Sequence, residues 1–369
     1  MDENLNEAIA SRRREISTDA YSMSLGELTN LYRDGELDVH PEFQRVYRWT
    51  DEQKSKLIES ILLGIPLPSI FVAQNTDGTW DVVDGVQRIS TILQLQGLLV
   101  DEDRQPLPKL TLRPTRYLPQ LDGKVWEDAD PDKSLDQAQR LDIRRAKVDL
   151  KIIKRDSSPG AKYDLFQRLN GFGTLLSPQE LRSCMVIATD RTFYRWIERL
   201  SKHESFVETT SLTDRLKDEQ YDLELVLRYL AFRSIPEDDI RRIGALGDYL
   251  NDKSVKIAED GIDYSVEEER FKTTFDLLSE SLGDNSFRTF NPSKGRFQGS
   301  FSNTAFEIVG LGLAYHIDHY ITNQETLDLE NRVKKIWEDG SFGRGFATGK
   351  SPDERLRRTI PAGRSLFAP

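Results

Sequence analysis

Residues 81–91 read DVVDGVQRIST, which places a carboxylate, a glycine, an amide and a guanidinium directly behind a short apolar run. The spacing predicts a buried strand over Trp80 to Val83 and a helix over Gln87 to Leu95, with Ile89, Ile92 and Leu93 on one side. Asp84-Gly85 is then a strand-to-helix corner, and Asp84, Gln87 and Arg88 stand at a helix N-terminus. Backbone N–H groups and the helix dipole favour an anion at such a place. A second Gln-Arg pair, Gln44-Arg45, lies upstream in HPEFQRVYRW (40–49). Either the two arginines converge on a phosphate, or they pair with nearby carboxylates such as Asp84 and lock two corners of the fold.

The phosphate reading assigns each residue a role. Arg45 and Arg88 suit a triphosphate because a guanidinium fork binds phosphate through two parallel hydrogen bonds. Asp84 is the candidate ligand for Mg²⁺, with phosphate oxygens and waters completing the octahedron. Gln87 can orient a water for attack on the γ-phosphorus, and Gly85 lets backbone approach a ligand closely. Trp49 or Tyr47 can stack on a base.

Around this corner the sequence predicts a helix in SLGELTNLYRDGEL (24–37), with Leu25, Leu28 and Leu31 on one face. A better marked helix follows in TDEQKSKLIESILLG (50–64). There Thr50 is the N-cap, Gln53 completes a capping box, and Gly64 stands just past the end. Asp77-Gly78 marks a hairpin between LPSIFVA and WDVV, and KVDLKIIK (147–154) reads as a strand. The first twenty or so residues lack periodicity and read as a flexible lead or a frayed helix. The Pro-rich, charged stretch of about 101–146 reads as an insertion or a long excursion. Beyond residue 160 the pattern is helical throughout: 162–170, 177–200, 221–233, 237–251, 264–282, 303–321 and 325–338. The expected division is a lead (1–20), a mixed domain (21–185), a helical domain (186–340) and a basic C-terminal segment (341–369).

The 369 residues, 37 % hydrophobic and 31 % charged, suffice for two domains with real cores. A net charge of −11 argues against non-specific coating of nucleic acid, although it permits a local basic patch. Residues 341–369 form one, carrying +4, with Arg355, Arg357 and Arg358 as candidate DNA contacts; folding back onto the acidic body is the alternative. The single cysteine, Cys184, excludes an intramolecular disulfide and a multi-cysteine metal site. No apolar run approaches membrane-spanning length and the first residues lack a signal core, so the expectation is a soluble cytoplasmic protein. GRGFATGKS (343–351) is not a P-loop, because Arg344 stands where a glycine is required. His316 and His319, three apart, lack a third ligand for a metal.

Four pieces in order, HPEFQRVYRW, LIESILLGIPLPSIFV, DVVDGVQRIST and FQRLNGFGTLLSPQELR, resemble the N-terminal domain of GmrSD-type restriction endonucleases, within the ParB/sulfiredoxin-like superfamily. The resemblance covers roughly residues 20–185. It implies an α+β chain in which a ParB/sulfiredoxin-like domain precedes an all-helical one. It also implies a D-G-Q-Q-R segment that binds and hydrolyses a nucleoside triphosphate with Mg²⁺, in systems that attack modified foreign DNA. Here Val86 replaces the first glutamine, while Asp84, Gly85, Gln87 and Arg88 match. The implied catalytic set is Asp84, Gln87 and Arg88, with Asp84 as metal ligand. The implied nucleotide contacts are Gln44, Arg45, Trp49, Gly85, Arg88, Thr91 and Asn170, the last being either a ligand contact or a helix C-cap. Such proteins carry an HNH-like nuclease downstream, yet the four histidines, His40, His203, His316 and His319, show no such pattern. Sensing and nucleotide control are therefore expected of this chain and cutting of a separate nuclease subunit, with DNA as partner and homo-oligomers allowed. A DNA-binding module without turnover and a stand-alone nuclease are the competing readings.

Overall fold

The computed structural model describes residues 18–39, 49–75, 77–101, 104–154, 177–323, 328–338, 340–342, 346 and 349–369. The chain divides into two units, Met1–Leu175 and Leu176–Pro369.

In the first unit the elements run β1 (Thr18–Ser24), α1 (Leu25–Arg33), β2 (Leu37–Asp38), α2 (Asp51–Leu62), β3 (Ile70–Gln74), β4 (Trp80–Asp84), α3 (Val86–Leu95), α4 (Gln137–Arg145) and β5 (Lys147–Ile153). The strands form one mixed sheet in the order β1-β5-β3-β4-β2. β1 lies antiparallel to β5 and β3 antiparallel to β4, while β3–β5 and β2–β4 are parallel. The expected ends hold where local chemistry sets them. Thr50 and Gln53 cap α2 reciprocally, and Asp77 accepts from the Thr79 N–H at 3.0 Å in the β3–β4 turn. Leu57, Ile58 and Ile61 of α2 join Ile89, Ile92 and Leu93 of α3 against Val72, Val82, Val148 and Leu150 of the sheet.

Two expectations for this unit need correction. The lead is shorter than twenty residues, because Thr18–Ala20 already pair with Lys151–Ile153 along the sheet edge. The 101–146 stretch is no mere insertion: Leu110, Leu112, Leu121, Leu135 and Ile143 are part of the core. Two polar ties fasten it to α2. Ser55 Oγ accepts from the Arg113 N–H at 2.8 Å, and Glu59 accepts from the N–H groups of Tyr117 (2.8 Å) and Leu118 (3.0 Å). The Thr115 hydroxyl and these amides hold the Glu59 carboxyl below the usual carboxylate range.

The second unit runs α5 (Pro178–Thr189), α6 (Arg191–Ser201), α7 (Glu204–Thr210), α8 (Asp214–Asp218), α9 (Tyr221–Phe232), α10 (Glu237–Ile240), α11 (Leu246–Asp260), α12 (Tyr264–Leu282), β6 (Thr289–Asn291) and β7 (Arg296–Gln298). It continues through α13 (Asn303–Ala305), a π-helical turn (Phe306–Gly310), α14 (Leu311–Tyr315), α15 (Ile317–Asn323), α16 (Leu329–Glu338) and α17 (Pro352–Leu366). It is not purely helical, since β6 and β7 make a short hairpin. The helix expected over 177–200 breaks at Asp190, whose extended backbone ends α5 while its carboxylate caps the N–H groups of Thr192 and Phe193. The division falls ten residues before the expected 185, because α5 packs on α6, α9 and α11 of this unit. α17 belongs to the same body rather than standing apart. It crosses α14 so closely that a Cβ on Gly312 would lie 2.6 Å from the Gly363 backbone.

Candidate functional site

The corner forms as its sequence predicts. β4 ends at Asp84, Gly85 turns with φ +99°, and α3 begins at Val86. Only glycine fits here, because the backbone is left-handed and a Cβ would lie 2.8 Å from Ile70 Cγ1. Gly85 is the N-cap residue of α3 and brings no side chain of its own to cap the first N–H groups of that helix. The positive end of the helix dipole is thus presented beside Asp84, whose side chain is 43 % exposed.

Arg88 turns back over the corner. Its Nη2 donates to Asp84 Oδ2 at 2.9 Å, and its Nη1 donates to the carbonyls of Pro68 and, at 3.1 Å, Ser69. Burial pushes the Arg88 guanidinium below its ordinary value, and the Asp84 carboxylate opposes that shift. The ion-pair alternative for Arg88 is therefore realised in this geometry, and the same fork fastens the G-I-P-L-P-S segment after α2 to the corner. Gln87 Oε1 accepts from the Trp49 N–H at 3.3 Å, which ties the chain leading into α2 to the same place.

The remaining expected contacts separate. Trp49 is partly buried and packs on the core, close to the corner through that backbone hydrogen bond. Thr91 is fully buried and donates to the Gln87 carbonyl at 2.7 Å, so it presents no surface to a ligand at the corner's mouth. Gln44, Arg45, Tyr47 and Asn170 lie outside the described residues. Among the described residues no three His, Cys, Asp or Glu side chains are grouped to hold a metal ion, which leaves Asp84 as a single carboxylate.

The C-terminal arginines are used within their own unit. Arg355 grips Glu307 with Nε at 3.0 Å and Nη2 at 2.7 Å, and Thr359 Oγ1 donates to the same carboxylate at 2.9 Å. Arg357 reaches Asp353 and the Ile243 carbonyl, each at 3.5 Å, and the Arg358 guanidinium lies 4.8 Å from the Phe346 ring centre. Folding back, the alternative weighed for this segment, is what its helix does. Arg355 belongs to a buried ladder that sequence reasoning missed. Arg182 reaches Glu224 (3.4 Å), Glu224 takes Arg228 (2.5 Å), and Arg228 approaches Glu307 (4.0 Å). Only the Glu224–Arg228 spacing, one helical turn, gave a local signal. Burial pushes the Arg228 guanidinium down, and Glu224, Tyr221 and Glu307 together more than restore it, leaving it above its ordinary value.

Residues 25–187 match the family model of the GmrSD restriction endonuclease N-terminal domain. This stretch carries that domain, in agreement with the four motifs in order. No curated protein and no solved structure matches the chain. Among the described residues no helix is long and apolar enough to cross a membrane.

Proposed function

We propose that the chain is a nucleotide-controlled component of a restriction system acting on DNA, with the Asp84–Arg88 corner as its nucleoside triphosphate site. The observation that supports this best is the start of α3: a helix N-terminus whose cap residue is a glycine in a left-handed conformation, beside a half-exposed carboxylate. The backbone N–H groups of that turn can receive phosphate oxygens. Asp84 fits a magnesium ion that arrives with the triphosphate, since Mg²⁺ is commonly held by one or two carboxylates together with phosphates and water. The ion would neutralise phosphate charge. Arg88, already fastened to Asp84 and to the Pro68 and Ser69 carbonyls, orients that carboxylate. Gln87 stands on the first turn, where its amide can direct a water, and Arg45 would complete the phosphate contacts. Cutting falls to a separate nuclease subunit.

The Arg88–Asp84 ion pair favours a second reading, in which nucleotide binds without turnover because both charged groups stay engaged with each other. Thermal unfolding with ATP, GTP, CTP and UTP, with and without Mg²⁺, tests binding, because a ligand of the folded state raises the melting temperature by mass action. A rise with at least one triphosphate is expected, and no rise with any of the four would remove the proposal. Phosphate release by the wild type and by Asp84→Ala then separates the readings: turnover that Asp84→Ala abolishes supports hydrolysis, and none in either supports binding alone.

A further inference from the structure

We infer that the β6–β7 hairpin is a contact element for duplex DNA, seated on phosphates through Lys294 and Arg296. The hairpin has two unlike faces. Phe290 and Phe297 pair directly across the strands with ring centres 5.2 Å apart, and Phe290 is buried. Side chains alternate along a strand, so the flanking pairs, Thr289 with Gln298 and Asn291 with Arg296, share the opposite face. A 3₁₀ turn over Pro292–Lys294 and a left-handed Gly295 (φ +60°) join the strands, and Asn291 Oδ1 accepts from the Lys294 N–H at 3.1 Å. Lys294, Arg296 and Gln298 are exposed at this tip and beside it.

Hairpin stability does not account for the two cations. An acid opposite Arg296 would add a cross-strand ion pair, yet Asn291 stands there and its Oδ1 serves the turn. Among the described residues neither the Lys294 ammonium nor the Arg296 guanidinium makes a hydrogen bond or an ion pair. The acids that flank the hairpin are engaged elsewhere. Asp284, just before it, holds Arg288 at 2.7 Å. Glu330, on the α16 helix that packs on β6, holds Lys334 at 2.7 Å.

From Asn285 to Phe306 the chain carries Arg288, Lys294 and Arg296 and no acid, in a protein with 62 acidic residues and a net charge of −11. Such a local excess draws an anionic partner to one place. Beyond Pro292 the exposed side chains of the ribbon, Ser293, Lys294, Arg296, Gln298 and Ser300, are all hydrogen-bonding and none is aliphatic or aromatic. A protein partner would call for apolar anchors at the centre of its contact. A duplex calls instead for cations on its phosphates and for hydroxyl or amide groups on phosphates and base edges. A two-stranded ribbon also fits the major groove, which is about 12 Å wide. The inference rests on the reading that the chain acts on DNA and does not require nucleotide at the corner.

The test is fluorescence anisotropy of a labelled duplex with the full chain across a salt series. Two phosphate contacts contribute about −2 to the slope of log K against log salt. Lys294→Glu with Arg296→Glu should weaken binding by about tenfold or more and bring the slope about 2 closer to zero. Lys294→Gln with Arg296→Gln should flatten the slope equally, while Lys294→Arg with Arg296→Lys retains it. All three proteins should keep the wild-type melting temperature and any shift with nucleotide, since both side chains are exposed. Duplex binding that survives charge reversal, or that Arg357→Ala with Arg358→Ala removes instead, overturns the inference while leaving the DNA reading standing. No duplex binding by the wild type at any salt overturns both. Displacement by poly-glutamate as effective as by DNA of equal charge would identify an acidic protein as the occupant and also overturn it.

Discussion

The Arg88–Asp84 pair of the first unit and the Arg355–Glu307 pair of the second have similar geometry, with closest nitrogen–oxygen distances of 2.9 and 2.7 Å. Their surroundings differ. Asp84 is 43 % exposed beside a helix N-terminus, whereas Glu307 is 1 % exposed and also serves Thr359 and, at 4.0 Å, Arg228. A carboxylate in contact with water can exchange one partner for another at modest cost, because water screens both states. A buried carboxylate cannot, because any neighbour deprived of it keeps a charge without solvent. The same two residue types therefore make a place where a ligand can enter and a fastening that closes a helical body.

That contrast predicts an order of effects. Glu307→Gln should be the most damaging, costing about 3–5 kcal/mol in denaturant unfolding, because it leaves the largely buried Arg355 without its counter-charge. A loss below about 1 kcal/mol would show that this pair is as replaceable as a surface one. Gly85→Ala should cost less, about 1–3 kcal/mol, through a left-handed backbone and the contact with Ile70. It should also abolish any shift with nucleotide, and an alanine variant as stable as wild type would mean that the corner yields easily.

The smallest effect is on the pH dependence of stability. The folded pKa of Glu59 lies below its unfolded value. Its contribution is therefore complete above the ordinary glutamate range, near pH 4.3, and is lost as pH falls through the lower folded value. Glu59→Gln should accordingly flatten the acid limb of a stability–pH curve and leave its shape near pH 7 unchanged. An acid limb identical to wild type would mean that the amides of Tyr117 and Leu118 do not favour the ionised form.

What the sequence revealed was local. Thr50 and Gln53 stand three apart, Asp77-Gly78 is its own turn, and Asp84-Gly85 joins two elements whose periodicities differ, so each could be read within a dozen residues. β1 escaped because it is an edge strand with one buried residue, Met23, among seven. The 101–146 stretch misled because its core leucines are scattered through irregular chain, and periodicity sees only regular elements. Glu307 had no local signal at all, since Arg355 and Thr359 lie 48 and 52 residues away. The corner's residue types were legible, but the partner of Arg88 was not. A guanidinium four residues after a carboxylate serves equally well as a phosphate fork or as an ion pair, and the choice depends on Pro68 and Ser69 offering their carbonyls.

The most direct measurement is a calorimetric titration of nucleoside triphosphate, with and without Mg²⁺, into the wild type and Asp84→Asn. If the corner is the site, the wild type binds at least one triphosphate more tightly with Mg²⁺ than without it. Asp84→Asn should lose that metal dependence yet bind the metal-free nucleotide at least as well, because a negative charge no longer faces the phosphates. Equal affinities and equal metal dependence in the two proteins, or no heat with any of the four triphosphates, would contradict the account.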